Sequence, residues 1–256
     1  MPKKSDKSPS RINWRVFFAL IGLGVFCVSS AIAAYKVRQY VTTDQQFILS
    51  RDHKDALTIQ GVRYAARSRV QRIFADDFDR SVFSVPLGER RRRLLAVDWV
   101  EDASVSRVWP DRLVVRITER KPVAFVFFRT GVLLIDAHGV LLEPPAQAQF
   151  AFPVLSGVRE EETEAQRREQ VRTFLHFTED MGYLAKDVSE VDVNDPDNIR
   201  VVAQVEDRAV TLMLGDSNYA RRYQNFLSHY PDIHKRSPEV KLFDLRLDDQ
   251  ITVKER

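Results

Sequence analysis

Ala103-Ser-Val-Ser-Arg-Val-Trp-Pro-Asp-Arg-Leu-Val-Val-Arg-Ile-Thr-Glu119 is the stretch on which the reading of the fold turns. Leu113, Val115 and Ile117 alternate with Val114, Arg116 and Thr118, the period of a strand with one buried face. Pro110 has no amide to donate and a fixed φ, and Asp111 can accept from nearby amides, so Trp109-Pro110-Asp111 reads as a tight turn. It joins a strand Ala103–Trp109 to a strand Arg112–Glu119. Upstream, Leu57-Thr-Ile-Gln-Gly61-Val62 alternates into a glycine turn and predicts a further strand. Ser68-Arg-Val-Gln71 has the form of a capping box, with Val70, Ile73, Phe74 and Phe78 at helical spacing behind it. A second helix is predicted from Pro86 to about Val97, with Glu89 early, Arg90 to Arg93 late, and Leu87, Leu94 and Leu95 as its apolar side. The order strand, helix, helix, strand, strand packs two helices on one face of a small three-stranded sheet, an α+β arrangement.

Beyond Pro122 the pattern becomes hairpins. Val123–Phe128 and Val132–Ile135 are apolar, and Asp136-Ala-His-Gly139 links the latter to Val140-Leu-Leu142. Thr163-Glu-Ala-Gln166 is another capping box, followed by Val171, Phe174, Leu175, Thr178 and Met181, with Gly182 as C-cap. Strands Val188–Val193, Ile199–Val205 and Ala209–Leu214 follow. A helix with Tyr219, Tyr223, Phe226, Leu227 and Tyr230 on one stripe is expected to stop at Pro231, and the stripe reads as core first and partner surface second. Strands Val240–Leu247 and Ile251–Lys254 close a second unit, a mainly antiparallel sheet with helices on one side.

Ahead of both units, Val16–Tyr35 is twenty residues without a charge, which as a helix spans about 30 Å, the hydrocarbon thickness of a bilayer. Trp14 and Tyr35 stand at its ends, and Lys3, Lys4, Lys7, Arg11 and Arg15 all precede it. The positive-inside rule then keeps the N-terminus cytoplasmic and exports the rest. A cleavable signal peptide ending at Ala31-Ile32-Ala33 competes, but the apolar run exceeds an ordinary h-region, and Tyr35, Lys36 and Arg38 continue a helical pattern. The expected organisation is a tail 1–15, a transmembrane helix 16–35, a helical continuation breaking into a linker at 36–54, and units at 55–123 and 124–256.

The net charge of +3 belongs to the N-terminal segment, so the 256-residue chain offers no general attraction for phosphates, and no nucleic-acid partner is expected. Its single cysteine, Cys27, excludes an internal disulfide. No glycine pattern for a phosphate cradle and no serine elbow is present. His53, His138, His176, His229 and His234 are scattered, so no metal, cofactor or catalytic residue is expected. Asp76-Asp77 and Asp248-Asp249 read as solvated turns, and Glu89–Arg93 as a solvated helix face that could also meet anionic lipid or an acidic partner. Anchor, two compact units and no reaction chemistry describe a scaffold, not an enzyme.

Several segments resemble the FtsQ/DivIB family of bacterial cell-division proteins. They are Arg107-Val-Trp-Pro-Asp-Arg-Leu113, Val115-Arg-Ile-Thr-Glu-Arg-Lys-Pro-Val-Ala124, Asp136-Ala-His-Gly139, Phe152-Pro-Val-Leu-Ser-Gly157 and Phe243-Asp-Leu-Arg-Leu247, in the family's order behind one anchor. Asp98-Trp99-Val100 stands where the family commonly has Pro-Trp-Val, and Leu247 where it has tyrosine. The resemblance implies a polypeptide-transport-associated (POTRA) domain and an FtsQ-type β domain. It further implies a non-enzymatic divisome component of the inner membrane at midcell, binding FtsB-like and FtsL-like coiled-coil membrane proteins. The alternative is a POTRA-containing envelope assembly or export factor, but those usually carry POTRA repeats and a barrel, and no internal repeat appears here.

The terminal strand Ile251-Thr-Val-Lys254 is expected to be an open sheet edge, with only Glu255 and Arg256 after it. Lys254, Glu255 and Arg256 would discourage indiscriminate pairing, while Ile251 and Val253 offer an apolar face to a chosen partner strand. The expected partner-binding residues are Arg246, Leu247, Ile251, Thr252 and Val253, of which Arg246 and Leu247 lie in the segment resembling the family.

Overall fold

The computed structural model describes residues 14–146, 148–247 and 250–253. The tail 1–13, Asp248-Asp249 and the expected Lys254–Arg256 guard lie outside the described residues. The chain divides into two compact units.

The first unit begins with helix α1 (Trp14–Thr43), which runs eight residues past the uncharged segment. The following stretch is not a linker throughout. A 3-10 turn at Gln45–Phe47 is capped by Asp44, whose Oδ1 accepts from the Gln46 amide at 3.0 Å. Then 47–49 pairs with 79–82: Val82 N donates to Phe47 O, Leu49 N to Arg80 O and Asp79 N to Leu49 O, each at 2.9 Å. Phe47 and Leu49 are fully buried. Phe47-Ile48-Leu49 is an apolar run too short to show the period of a helix or a strand, yet burying Phe47 and Leu49 stabilises by about 1.5 to 3 kcal/mol each.

Strands β1 (Leu57–Gln60), β2 (Val100–Val108) and β3 (Arg112–Glu119) form a sheet in the order β1-β3-β2. β1 lies parallel to β3, with Leu57 opposite Leu113. Leu113, Val115 and Ile117 are buried, as the alternation required. Gly61, at φ +81°, lies so close to β3 that a Cβ there would stand 2.0 Å from Ile117 O, so only glycine fits. Pro110 sits in the β2–β3 turn, and the Asp111 carboxylate meets His53 Nδ1 at 3.3 Å.

Helix α2 (Arg67–Arg72) departs from the expectation. Its N-cap is Ala66, Ser68 lies inside the first turn, and the helix ends before Phe78. The backbone ahead of it is fixed by a distant carboxylate instead: Glu119 accepts from the amides of Arg63, Tyr64 and Ala65 at 2.7 to 2.8 Å. Helix α3 (Leu87–Leu95) starts after Pro86 as expected, but its arginines are not one solvated face. Arg90 is 6% exposed and forks onto Asp77, itself 2% exposed, with Nε–Oδ2 of 2.6 Å and Nη2–Oδ1 of 2.8 Å. Arg91 donates to Ala103 O and Asp102, both at 2.7 Å.

The second unit is built on nine strands: β4 (Pro122–Phe128), β5 (Gly131–Asp136), β6 (Leu141–Leu142), β7 (Val154–Ser156), β8 (Val188–Asp192), β9 (Ile199–Val205), β10 (Arg208–Gly215), β11 (Leu242–Leu247) and β12 (Gln250–Val253). Their order is β12-β11-β10-β9-β8-β7-β4-β5-β6. Five neighbouring pairs are antiparallel and three parallel. β7, absent from the sequence reading, is a three-residue strand between two parallel neighbours. Parallel neighbours need long crossovers, and helices α4 (Glu164–Met181) and α5 (Tyr219–Arg236) supply two of them, β7 to β8 and β10 to β11. α4 carries the expected capping box between Thr163 and Gln166 and ends at Gly182, φ +53°.

α5 does not stop at Pro231. The proline cannot donate to Leu227 O, but Tyr230 is buried and Ile233 packs on the core, so the apolar stripe holds the helix together across the missing bond.

Candidate partner-binding edge

The β11–β12 hairpin brings the five expected residues together. In β11, Phe243 and Leu245 are buried in the core, which turns Asp244 and Arg246 to the opposite face. Arg246 grips Asp244 in a fork, Nε–Oδ1 at 2.8 Å and Nη2–Oδ2 at 2.6 Å. This hydrogen bond, reinforced by the carboxylate's charge, holds the guanidinium's pKa above its ordinary value. Leu247 ends the strand 64% exposed.

In β12, Thr252 stands opposite Asp244 and Val253 opposite Phe243, with an irregularity in pairing before Leu247 meets Gln250. Thr252 is therefore an exposed residue on the Arg246 face. Val253, 37% exposed, lies on the core face, and Ile251 is partly buried against the core. Among the described residues β12 is the last strand on its side of the sheet, so its outer edge presents unpaired amides and carbonyls. The other end, β6, is only two residues long.

Beside this edge runs a groove of about 690 Å³ between α5 and β12, lined by Arg221, Arg222, Asn225, His229, Asp232, Ile233, Arg236, Gln250 and Ile251. The sequence reading missed it. The signal was present as the i, i+4 recurrence of Arg221, Asn225 and His229 on the side of α5 away from the tyrosine stripe. The stripe itself is core: Tyr219, Tyr223, Phe226 and Tyr230 are all buried and so are no partner surface. Three arginines against Asp232 make the groove basic. Arg222 is held by Leu214 O at 2.6 Å.

Comparison with known proteins gives these geometries a context. Residues 55–120 match the model of the FtsQ-type POTRA domain, and residues 124–246 that of the cell division protein FtsQ/DivIB C-terminal domain. The chain is 35% identical over 260 residues to cell division protein FtsQ of Koribacter versatilis, covering 98% of this chain and 72% of the relative. The chain belongs to the FtsQ cell division protein family. It is also 25% identical to FtsQ of Shewanella oneidensis, over 95% of this chain and 88% of the relative. A solved structure of the major extracytoplasmic domain of the cell division protein DivIB from Geobacillus stearothermophilus overlaps 47% of this chain at 19% identity, with a TM-score of 0.28. The FtsQ-type C-terminal match ends at Arg246, inside β11, so it covers Arg246 and leaves Leu247 and all of β12 outside it. Among the described residues, α1 is the one helix long and apolar enough to cross a membrane.

Proposed function

We propose that the chain is a non-enzymatic, bitopic scaffold of the divisome, with its N-terminus cytoplasmic and both compact units on the exported side of the inner membrane at the septum. Its work is to capture FtsB-like and FtsL-like coiled-coil membrane proteins by adding a partner strand to β12. The outer edge of β12 carries this reading: it pairs with nothing among the described residues, and Thr252 and Val253 are exposed along it. Main-chain bonds would supply affinity and the flanking side chains selectivity. The groove adds a charge criterion, since Arg221 and Arg236 favour an acidic segment next to the incoming strand. The nine-residue edge β2 is a poorer acceptor, because Arg91 already occupies Ala103 O and Glu101, Asp102 and Arg107 guard it with charge.

Successive amides of a strand point to opposite edges, so one of Thr252 and Val253 donates toward β11 and the other outward. Thr252→Pro and Val253→Pro are therefore tested as a pair, each checked for a cooperative melt. The variant that loses the outward amide is expected to stay folded and to lose pull-down of the FtsB-like partner. Wild-type capture by both folded variants would move the interface off this edge.

A further inference from the structure

We propose that the Trp109-Pro110-Asp111 turn rests in the headgroup layer of the bilayer that α1 crosses, so that the POTRA unit touches the membrane through an aromatic cluster. The proposal rests on reading α1 as a membrane span. Trp109 is 64% exposed, an unusual state for the largest side chain. One side of its ring is packed: its centroid lies 5.1 Å from Phe47 and 5.8 Å from Phe83, both edge-on. Phe47 in turn lies 5.8 Å from Tyr40 on α1.

The cluster's level follows from the helix. Tyr40 is five residues beyond Tyr35, where the uncharged run ends, or about 7.5 Å along the axis. A bilayer's polar zone is roughly 5 to 7 Å thick on each side, so the Tyr40 backbone stands at the outer boundary of the headgroup layer. Helical side chains lean toward the N-terminus, which brings its ring back toward the membrane. The first unit cannot drift from this position, because Ser81 Oγ donates to Val41 O at 2.6 Å and 47–49 is paired into the unit.

The surrounding charges suit phosphate headgroups. Lys36 and Arg38 leave the membrane on α1, and Arg112 follows the turn. Arg107 lies over the Phe83 ring while donating to Val82 O and Val85 O at 2.6 and 2.8 Å. Of the acids here, Asp111 meets His53 and Asp44 caps the 3-10 turn. An indole with an apolar body and a polar N–H is the side chain that prefers this layer.

The test uses the full chain in vesicles of phosphatidylethanolamine and phosphatidylglycerol. Vesicle flotation with resistance to carbonate comes first, and failure there overturns the span and this proposal together. In floated protein, the emission of wild type minus that of Trp109→Phe isolates Trp109 from Trp14 and Trp99. That emission is expected to be lost to lipids brominated on their acyl chains and spared by aqueous iodide. A spin label on Arg112→Cys, in a Cys27→Ser background, is expected to be relaxed by oxygen more than by a nickel chelate, with the reverse at Ser104→Cys. Iodide quenching of Trp109 together with nickel access at residue 112 would overturn the contact while leaving the span standing.

Discussion

Two buried polar sites show opposite consequences of taking a polar atom out of water. Arg90 and Asp77 are both buried and fully forked, and the hydrogen bond to Asp77 raises the Arg90 guanidinium's pKa despite burial. Removing one partner strands the other, so Asp77→Ala is expected to destabilise by about 3 to 5 kcal/mol in chemical denaturation. Asp77→Leu combined with Arg90→Met should recover most of that loss; if the double variant is as unstable as Asp77→Ala, the pair is not what holds the site. Tyr223 is the contrary case. Its hydroxyl is buried without a hydrogen-bond partner among the described residues, and burial, helped by the charge of Asp187, pushes its pKa from 10.0 to about 12. Tyr223→Phe removes an unsatisfied group and is expected to stabilise by about 1 kcal/mol at pH 7. Below pH 10 the phenol is neutral in both folded and unfolded chains and contributes no pH dependence. Between pH 10 and about 12 the unfolded chain ionises and the folded one does not. Wild type should therefore lose about 2 to 3 kcal/mol relative to Tyr223→Phe across that window, at 1.36 kcal/mol per unit. Parallel melts that track each other to pH 12 would show the hydroxyl to be solvated.

Among elements, what the sequence made legible were those whose signal is local. The alternation of Leu113, Val115 and Ile117 and the Thr163–Gln166 capping box each need only a few neighbouring residues, and each element stands where its pattern put it. What stayed hidden depends on groups far apart in the chain. α2 starts at Arg67, with Ala66 as its N-cap, and not at a Ser68 box because Glu119 holds the three amides of residues 63 to 65, 54 to 56 residues away. β7 has three residues and owes its existence to parallel neighbours on both sides. α5 crosses Pro231 because its buried face continues beyond it, a balance between one lost backbone bond and retained packing. The edge shows the same division. Thr252 and Val253 were legible from alternation near the last strand, whereas the basic groove beside them exists only because α5 returns next to β12.

On the scale of the whole molecule, charge placement decides whether the edge can meet the proposed partner at all. Residues 1–35 hold five basic residues against Asp6, while the fifteen residues after Tyr35 hold Lys36 and Arg38. Orientation follows the excess of Lys and Arg close to the span, and here the excess is on the N-terminal side. Everything the proposed strand capture uses lies beyond Thr43, on one side of α1, so in that reading reversing the helix would deliver β12 and its groove to the wrong compartment together. Protease added to the exported side of sealed membrane vesicles is expected to digest residues beyond about Lys36 and spare the N-terminal segment. Neutralising Lys3, Lys4, Lys7, Arg11 and Arg15 together leaves Lys36 and Arg38 as the dominant flank. That variant should divide between two orientations and lose partner capture in proportion to the inverted fraction. If it inserted as wild type does, the folded units and not the basic flank would set the topology. If the wild type were itself cut on its N-terminal side, the scaffold would have to work from the cytoplasm.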